Sequence, residues 1–454
     1  MSHNFKDLII NIKSKPKSKV CYLIGCGLFC VVCLSMQYPN SEKTQITINS
    51  KQIGLMTETI QKAINSCAEK GGGVVIFPAG TYLCGGIQLK SHVSLQLEKG
   101  ALLKGSDKYI DYQNDAFIYG KDLSDIAIIG KGIIDGVNCL NLKGEEGFRG
   151  PHCVRLINCK NILFKDFTIE NSANWAFNLR YCSIGNVEKV FIRGGHDGLH
   201  TRFCKNFKVS GCDFRTGDDA FAGNDNRDFL IINCKINTSC NGFRMGCFNF
   251  TVKNCLLWGP GESVHRIQKR NNMLAAFVHF SPKDDNPKLM SGNWLIEDVK
   301  IDNVDQVYVY NFLEGLWQTG QPVTNVYFKN VTASGVLAAF NIIGDAGLRF
   351  KLNVENSSFE FREGSDYKGD KFEDAKLLSP ALFNAMNFGQ IELKNVILSK
   401  NTGSSILNCN TGKFLVFENV NFMTGNNSKP FSIEKVRNVR KVDIKLNSSS
   451  IAVN

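Results

Sequence analysis

The chain has 454 residues, 43% of them hydrophobic, with 41 Gly and only 10 Pro, so it can bury a large core and has length enough for several ordinary domains. Its formal charge of +11 falls to about +7 once the five Lys and one Asp of the first 35 residues are set aside. That modest excess suits an acidic partner, but no Lys/Arg patch or motif marks a nucleic-acid binder, and that class is excluded.

Residues 1–36 read as a signal peptide or an N-terminal membrane anchor. Lys6, Lys13, Lys15, Lys17 and Lys19 precede an uncharged apolar run at 20–36, and Cys33-Leu34-Ser35 is a small-x-small cleavage site. Seventeen residues also sit at the lower edge of a membrane span, which leaves an uncleaved anchor as the alternative. Leu23-Ile24-Gly25-Cys26 has the form of a lipoprotein box, but the apolar run before it is too short for one. Export to the periplasm, the cell surface or the medium is expected.

Residues 45–454 read as one domain. Thr57 can cap a short helix in which Ile60, Ile64, Cys67 and Ala68 share a face, stopped by Gly71 to Gly73. The helix then stands as a cap over the open end of a strand-rich coil. From about residue 87, runs such as DIAIIGKGIIDG, NILFKDFTI, NVYFKNVTA and QIELKNVIL recur every twenty to thirty residues with Asn and Gly between them. The register is sharpest at its centre, where Phe177, Leu199, Phe221 and Phe243 are spaced by 22, and Asp197, Asp219 and Asn241 form a polar column two residues ahead. A fixed period in the twenties predicts an all-β parallel β-helix, each coil stacked on the next. Lys269–Gly292 and the charged stretch Glu363–Lys376 break the rhythm and are expected to leave the coil as loops. Many of the 17 Cys recur at rung spacing and are expected to be core thiols rather than disulfides.

The stretch GGGVVIFPAGTYLCGGIQLKSHVSLQLEKGALLKGS, then IAIIGKGIIDG, and above all the motifs HDG and TGDDAFAG resemble glycoside hydrolase family 28, the polygalacturonases and rhamnogalacturonases. The resemblance implies a right-handed parallel β-helix and inverting hydrolysis of pectic linkages. It implies that Asp218 is the general acid, with Asp197 and Asp219 holding and activating the water. Where the family carries Gly-His-Gly this chain has Cys240-Asn241-Gly242, and the family's Arg-Ile-Lys substrate clamp appears as Arg266-Ile267-Gln268. These departures touch the sugar-binding set and leave the carboxylates intact.

Chemistry agrees with that assignment. Glycoside cleavage needs a protonated acid for the leaving oxygen and a carboxylate for water or for direct attack. Stacked strands lie about 4.8 Å apart, so Asp197 and Asp219 become neighbours, and crowded carboxylates raise at least one pKa. Asp218 and Asp219 face opposite sides of a regular strand, and both reach solvent only if Gly217 opens a bend. Strand alternation sets Asn178, His200, Ala222 and Arg244 in one outward column and Arg180 and Arg202 in another. His200, Arg202 and Arg244, with Asn241, Arg266 and Gln268, are the candidate substrate contacts, because guanidinium groups pair well with a sugar carboxylate or sulfate. His196 and His200 flank Asp197, and both are expected to be satisfied surface histidines.

The partner predicted is an acidic polysaccharide or oligosaccharide, as in the degradation of cell wall polysaccharide. No cofactor or resident metal is called for, and a monomer is expected. Two competing functions remain: a polysaccharide lyase, whose Ca²⁺ the acidic cluster could bind, and a non-catalytic glycan-binding β-helix.

Overall fold

Short apolar runs punctuated by Asn and Gly cannot bury both faces alone, so each needs a neighbour one coil before and one coil after. The computed structural model, which describes residues 44–362, 379–401, 405–425 and 430–450, meets that need as a parallel β-helix. The leader region 1–36 and the stretch Glu363–Lys376 lie outside the described residues.

Three parallel sheets run along the coil. The first is marked by an inward column in which Val154, Phe177, Leu199, Phe221, Phe243, Phe277, Tyr308, Phe340, Phe383, Leu407 and Phe431 pair in register from rung to rung. The second holds Lys160–Lys165, Ser183–Glu188 and Lys205–Ser210, and the third holds Thr168–Glu170, Phe191–Gly194, Asp213–Thr216 and Lys235–Thr238. In the column, the Phe221 and Phe243 rings stack at 4.7 Å and Phe243 and Phe277 at 5.1 Å, offset aromatic contacts that add to burial.

Phe277 corrects the expected loop at Lys269–Gly292. Ala275–His279 is a fully buried strand of the first sheet, paired on both sides, and only its charged flanks leave the coil. The coil also starts earlier than residue 87, since Thr44–Thr47 pairs with Gly73–Phe77. Between these two strands runs the helix Thr57–Glu69, which buries Ile60, Ala63, Ile64 and Cys67. Its N-cap is Met56 without a side-chain bond. Thr57 Oγ1 instead accepts the Gly85 backbone N–H at 2.8 Å, tying the helix to the coil.

At the bends Asn has a physical role. Asn330, Asn356, Asn395 and Asn419 all adopt left-handed φ of 50–54°. Their side chains form a ladder, Asn395 donating to Asn356 at 2.8 Å and Asn419 to Asn395 at 2.9 Å. An L-residue other than Asn or Asp pays about 1–2 kcal/mol for that backbone. Asn356→Ala is therefore expected to lower stability by about 1–2 kcal/mol, and Asn356→Gly by less, in equilibrium denaturation.

All thirteen Cys among the described residues are buried free thiols. At the C-terminal end half of the strand Phe431–Leu446 is exposed, and it carries Lys435, Arg437, Arg440, Lys441 and Lys445, charges that discourage pairing of an open edge with another chain. Among the described residues no helix is long and apolar enough to cross a membrane.

Candidate active site

The site is built where the third sheet turns back into the first. Strand Asp213–Thr216 ends, residues 217–220 bend, and the first sheet resumes at Phe221. A Cβ on Gly217 would stand 2.8 Å from the carbonyl oxygens of Gly195 and Val264, so only glycine fits this bend. The hydroxyls of the buried Thr216 and Thr238 both donate to the Asp218 carbonyl and hold it in place. The bend separates the two neighbouring acids: Asp218 has a side chain 16% exposed and that of Asp219 is 1% exposed.

Asp197, Asp219 and Asn241 lie on successive rungs, joined by backbone bonds of 2.9 Å from Gly198 to Asp219 and from Ala220 to Asn241. One oxygen from each of Asp197, Asp218 and Asp219 falls within 4.8 Å of the others. Each acid has its own partners. Asp219 Oδ1 accepts from Asn241 through its backbone N–H at 3.2 Å and its Nδ2 at 2.8 Å, and Oδ2 accepts from Arg244 Nε. Asp197 Oδ2 lies 2.8 Å from His200 Nδ1, and the His200 ring stacks flat on Trp175 at 3.6 Å.

Asp218 Oδ1 accepts the Asp219 backbone N–H at 3.0 Å and faces His265 Nε2 at 3.6 Å, while Oδ2 lies 3.8 Å from Arg149 Nη2. His265 Nδ1 accepts the backbone N–H groups of Ile267 and Gln268, at 3.2 and 3.1 Å. An acceptor nitrogen carries no proton, so the imidazole proton sits on Nε2, turned to Asp218.

These surroundings push the acids apart. Burial, with Asp218 and Asp219 close by, raises the pKa of Asp197. Burial acts in the same sense on Asp218, but His265, Arg244 and Arg149 outweigh it and hold that carboxyl below the usual range. A proton taken up by the cluster therefore belongs to the Asp197/Asp218 pair and is favoured on Asp197.

Two sets of side chains could converge on a cation, Asp197 with Asp218 and Asp219, and Asp218 with Cys240 and His265. Arg244 offsets Asp219, whereas Arg149 is bonded to Glu146 at 2.7 Å and stands 3.8 Å from Asp218.

Of the residues expected to touch substrate, Asn241 and Arg244 are turned to Asp219, and His200 to Asp197. Arg244 also lies over the rings of Phe280 and Trp317, at 4.3 and 4.9 Å. Arg202 pairs with Asp285 at 3.3 Å. Arg266 crosses Gly195, where a Cβ would meet its stem at 2.7 Å, and reaches His196 Nε2 at 3.2 Å. Gln268 keeps a buried Oε1 without a partner among the described residues. His196 is not a surface histidine: it is buried between Arg149 and Arg266, and burial with those two cations lowers its pKa to about 3. Burial also drives His200 well below its ordinary value, so both imidazoles are neutral.

Sequence reasoning missed Arg149, Trp175 and His265. His265 directly precedes Arg266-Ile267-Gln268, which was its one available signal. Arg149 comes from the aperiodic segment 136–151, which carries no motif.

Residues 67–253 match the model of the family described as glycosyl hydrolases family 28. The chain is 25% identical over 199 residues to a probable polygalacturonase of Vitis vinifera, covering 37% of this chain and 40% of that one. It is 25% identical over 251 residues to an endo-polygalacturonase of Pectobacterium carotovorum subsp. carotovorum, covering 45% and 62%. It thus spans about half the length of these relatives. The structure superposes on a hyperthermoactive exopolygalacturonase from Thermotoga maritima with a TM-score of 0.60 at 18% identity, covering 78% of this chain and 91% of that one. The fold is the right-handed parallel β-helix of that class.

Proposed function

We propose that the protein, whose residues 67–253 match the model of glycosyl hydrolases family 28, is an exported, monomeric glycoside hydrolase, polygalacturonase-like, that cleaves an acidic pectin-like polysaccharide with inversion. Residues 1–36 are its leader or anchor and 45–454 its single catalytic domain. The observation that carries this reading is the cluster of Asp197, Asp218 and Asp219, three carboxylates within 4.8 Å with one of them facing out.

Asp218 is the general acid, since it is the carboxyl that a leaving oxygen can reach. Its Oδ1 is occupied by donors, so the transferable proton belongs on Oδ2. Asp197 and Asp219 together activate one water, and the proton of the Asp197/Asp218 pair passes to Asp218 as substrate displaces solvent. Inversion rests on the family resemblance, since oxygens within 4.8 Å are closer than the about 6.5–9.5 Å usual for an inverting pair. Arg266 and Gln268 flank this point as the altered clamp. With Gln268 in place of the Lys at the third position of the family's triplet, one of its two charges is missing and affinity for a galacturonate at the cleavage point is reduced.

A panel of acidic polysaccharides tests the reading. Saturated reducing sugars whose first-formed anomer is inverted, followed by NMR, are the expected products. Unsaturated products would make it a lyase, untouched polymer a binder, and a retained anomer would defeat the inverting assignment.

The pH profile follows from the shared proton. Hydrolysis needs one proton on the Asp197/Asp218 pair, and activity falls as pH rises through the raised pKa of that pair, so the alkaline limb of kcat/KM lies above the ordinary carboxylate range. His265 stabilises ionised Asp218, and its removal raises the pKa of that carboxyl. His265→Ala is therefore expected to move the alkaline limb to higher pH, whereas a merely structural role would lower the plateau and leave the limb in place.

A further inference from the structure

Beside the carboxylate cluster, toward the N-terminal rungs, lies a cavity of about 430 Å³, in the size range of ligand pockets. The two spaces share a wall: Arg149 and Trp175 line the cavity, and the same residues reach Asp218 and stack on His200. Arg149 and Trp175 thus stand between the cavity and the carboxylate cluster.

Its floor is cationic and carries unused polar atoms. Arg155 pairs in register with Asn178, and Arg180 with Arg202 one rung further. Arg155 donates to the Asn114 carbonyl at 2.8 Å and answers Asp115 at 3.8 Å, and Arg202 answers Asp285. Arg180 makes no side-chain hydrogen bond or ion pair among the described residues. Burial, with Arg155 and Arg202 alongside, lowers its pKa, so the fold holds this charge against its neighbours. His152 Nε2 lies 2.9 Å from Asn178 Nδ2, the amide donating, which places the imidazole proton on Nδ1. His152 Nδ1 and Asn178 Oδ1 are buried and have no partner among the described residues. Buried polar atoms of this kind are normally satisfied.

We infer that this cavity is a subsite for the acidic sugar next to the one being cleaved, with Arg180 pairing its carboxylate and with His152 Nδ1–H and Asn178 Oδ1 meeting its hydroxyls. Its place in the substrate rests on the hydrolase reading, whereas its preference for an anion rests on Arg180. Arg180 offers a planar donor fork that matches a carboxylate. Among the described residues the only acids on the wall are Asp115, answered by Arg155, and the exposed Glu145.

The test is calorimetric titration of the full chain carrying Asp218→Asn, which slows turnover below the time of the titration, with tetragalacturonate and with its methyl ester. The acid is expected to bind at least tenfold more tightly than the ester, with the difference shrinking as salt rises. Adding Arg180→Gln should abolish the preference, Arg180→Lys should retain part of it, and circular dichroism melts should show all variants folded. Equal binding of acid and ester, no binding of either, or a preference untouched by Arg180→Gln would overturn the subsite. Should the preference hold while the wild-type chain cleaves no acidic polymer, the subsite stands and the hydrolase reading falls. Cleavage without the preference would uphold the hydrolase reading and remove the subsite.

Discussion

Asp218→Asn is expected to cut turnover on the polymeric substrate by about 10³-fold, within the range that general acid catalysis contributes, while substrate affinity changes little. The substitution keeps the shape of the side chain, and the amide can still accept from Asp219 N–H and His265 Nε2–H through its oxygen. What it removes is the Oδ2 proton. Aryl glycosides with good leaving groups should lose far less, because they depart without protonation. Initial rates on both substrate types, with affinity measured separately, check the split. Full activity on the polymer would sink the assignment of the acid.

Arg244→Ala is expected to produce the largest loss of stability, about 3–5 kcal/mol, the cost of leaving a buried charge without its partner. Asp219 is 1% exposed and Arg244 14%, so the truncation leaves a nearly buried carboxylate with Asn241 as its remaining donor. Its contacts with the Phe280 and Trp317 rings are lost as well. Arg244→Lys should lie between, keeping charge without the planar fork. Adding Asp219→Asn to Arg244→Ala should restore part of the loss, a coupling that a double-mutant cycle in denaturant would measure. Simple additivity would mean that the pair is not an energetic unit.

The central coil was legible because geometry forces it to repeat. Each pass must set an apolar side chain at the same inward point, and Phe177, Leu199, Phe221 and Phe243 do so at constant spacing. Phe277 was not legible, since the step from Phe243 grows to 34 residues and charged flanks hide a buried strand. The fold keeps register while turns absorb the difference, so spacing fails where pairing persists. In the site, stacking converts one period into neighbouring atoms, which put Asp197 beside Asp219. Alternation also gave the direction of Arg244, yet direction does not name a partner, and the guanidinium is spent on Asp219 instead of being left wholly for a sugar. Arg149 and His265 arise from turns, whose paths no period constrains. They were beyond reach for that reason.

The thirteen buried thiols bear on how this protein survives once unfolded. Burial raises the pKa of Cys84, Cys153 and Cys409, among others, and a protonated, shielded thiol reacts slowly. While folded, the coil shields these thiols from oxidants. Opening it exposes thirteen nucleophiles at once along one chain, and any crosslink then formed blocks return to a packing that has room only for reduced sulfur. In an oxidising solvent, persistence of the native form is governed by the rate of opening rather than by an equilibrium constant. A scan-rate-dependent melting temperature in air that becomes reversible under reductant is the signature of that regime.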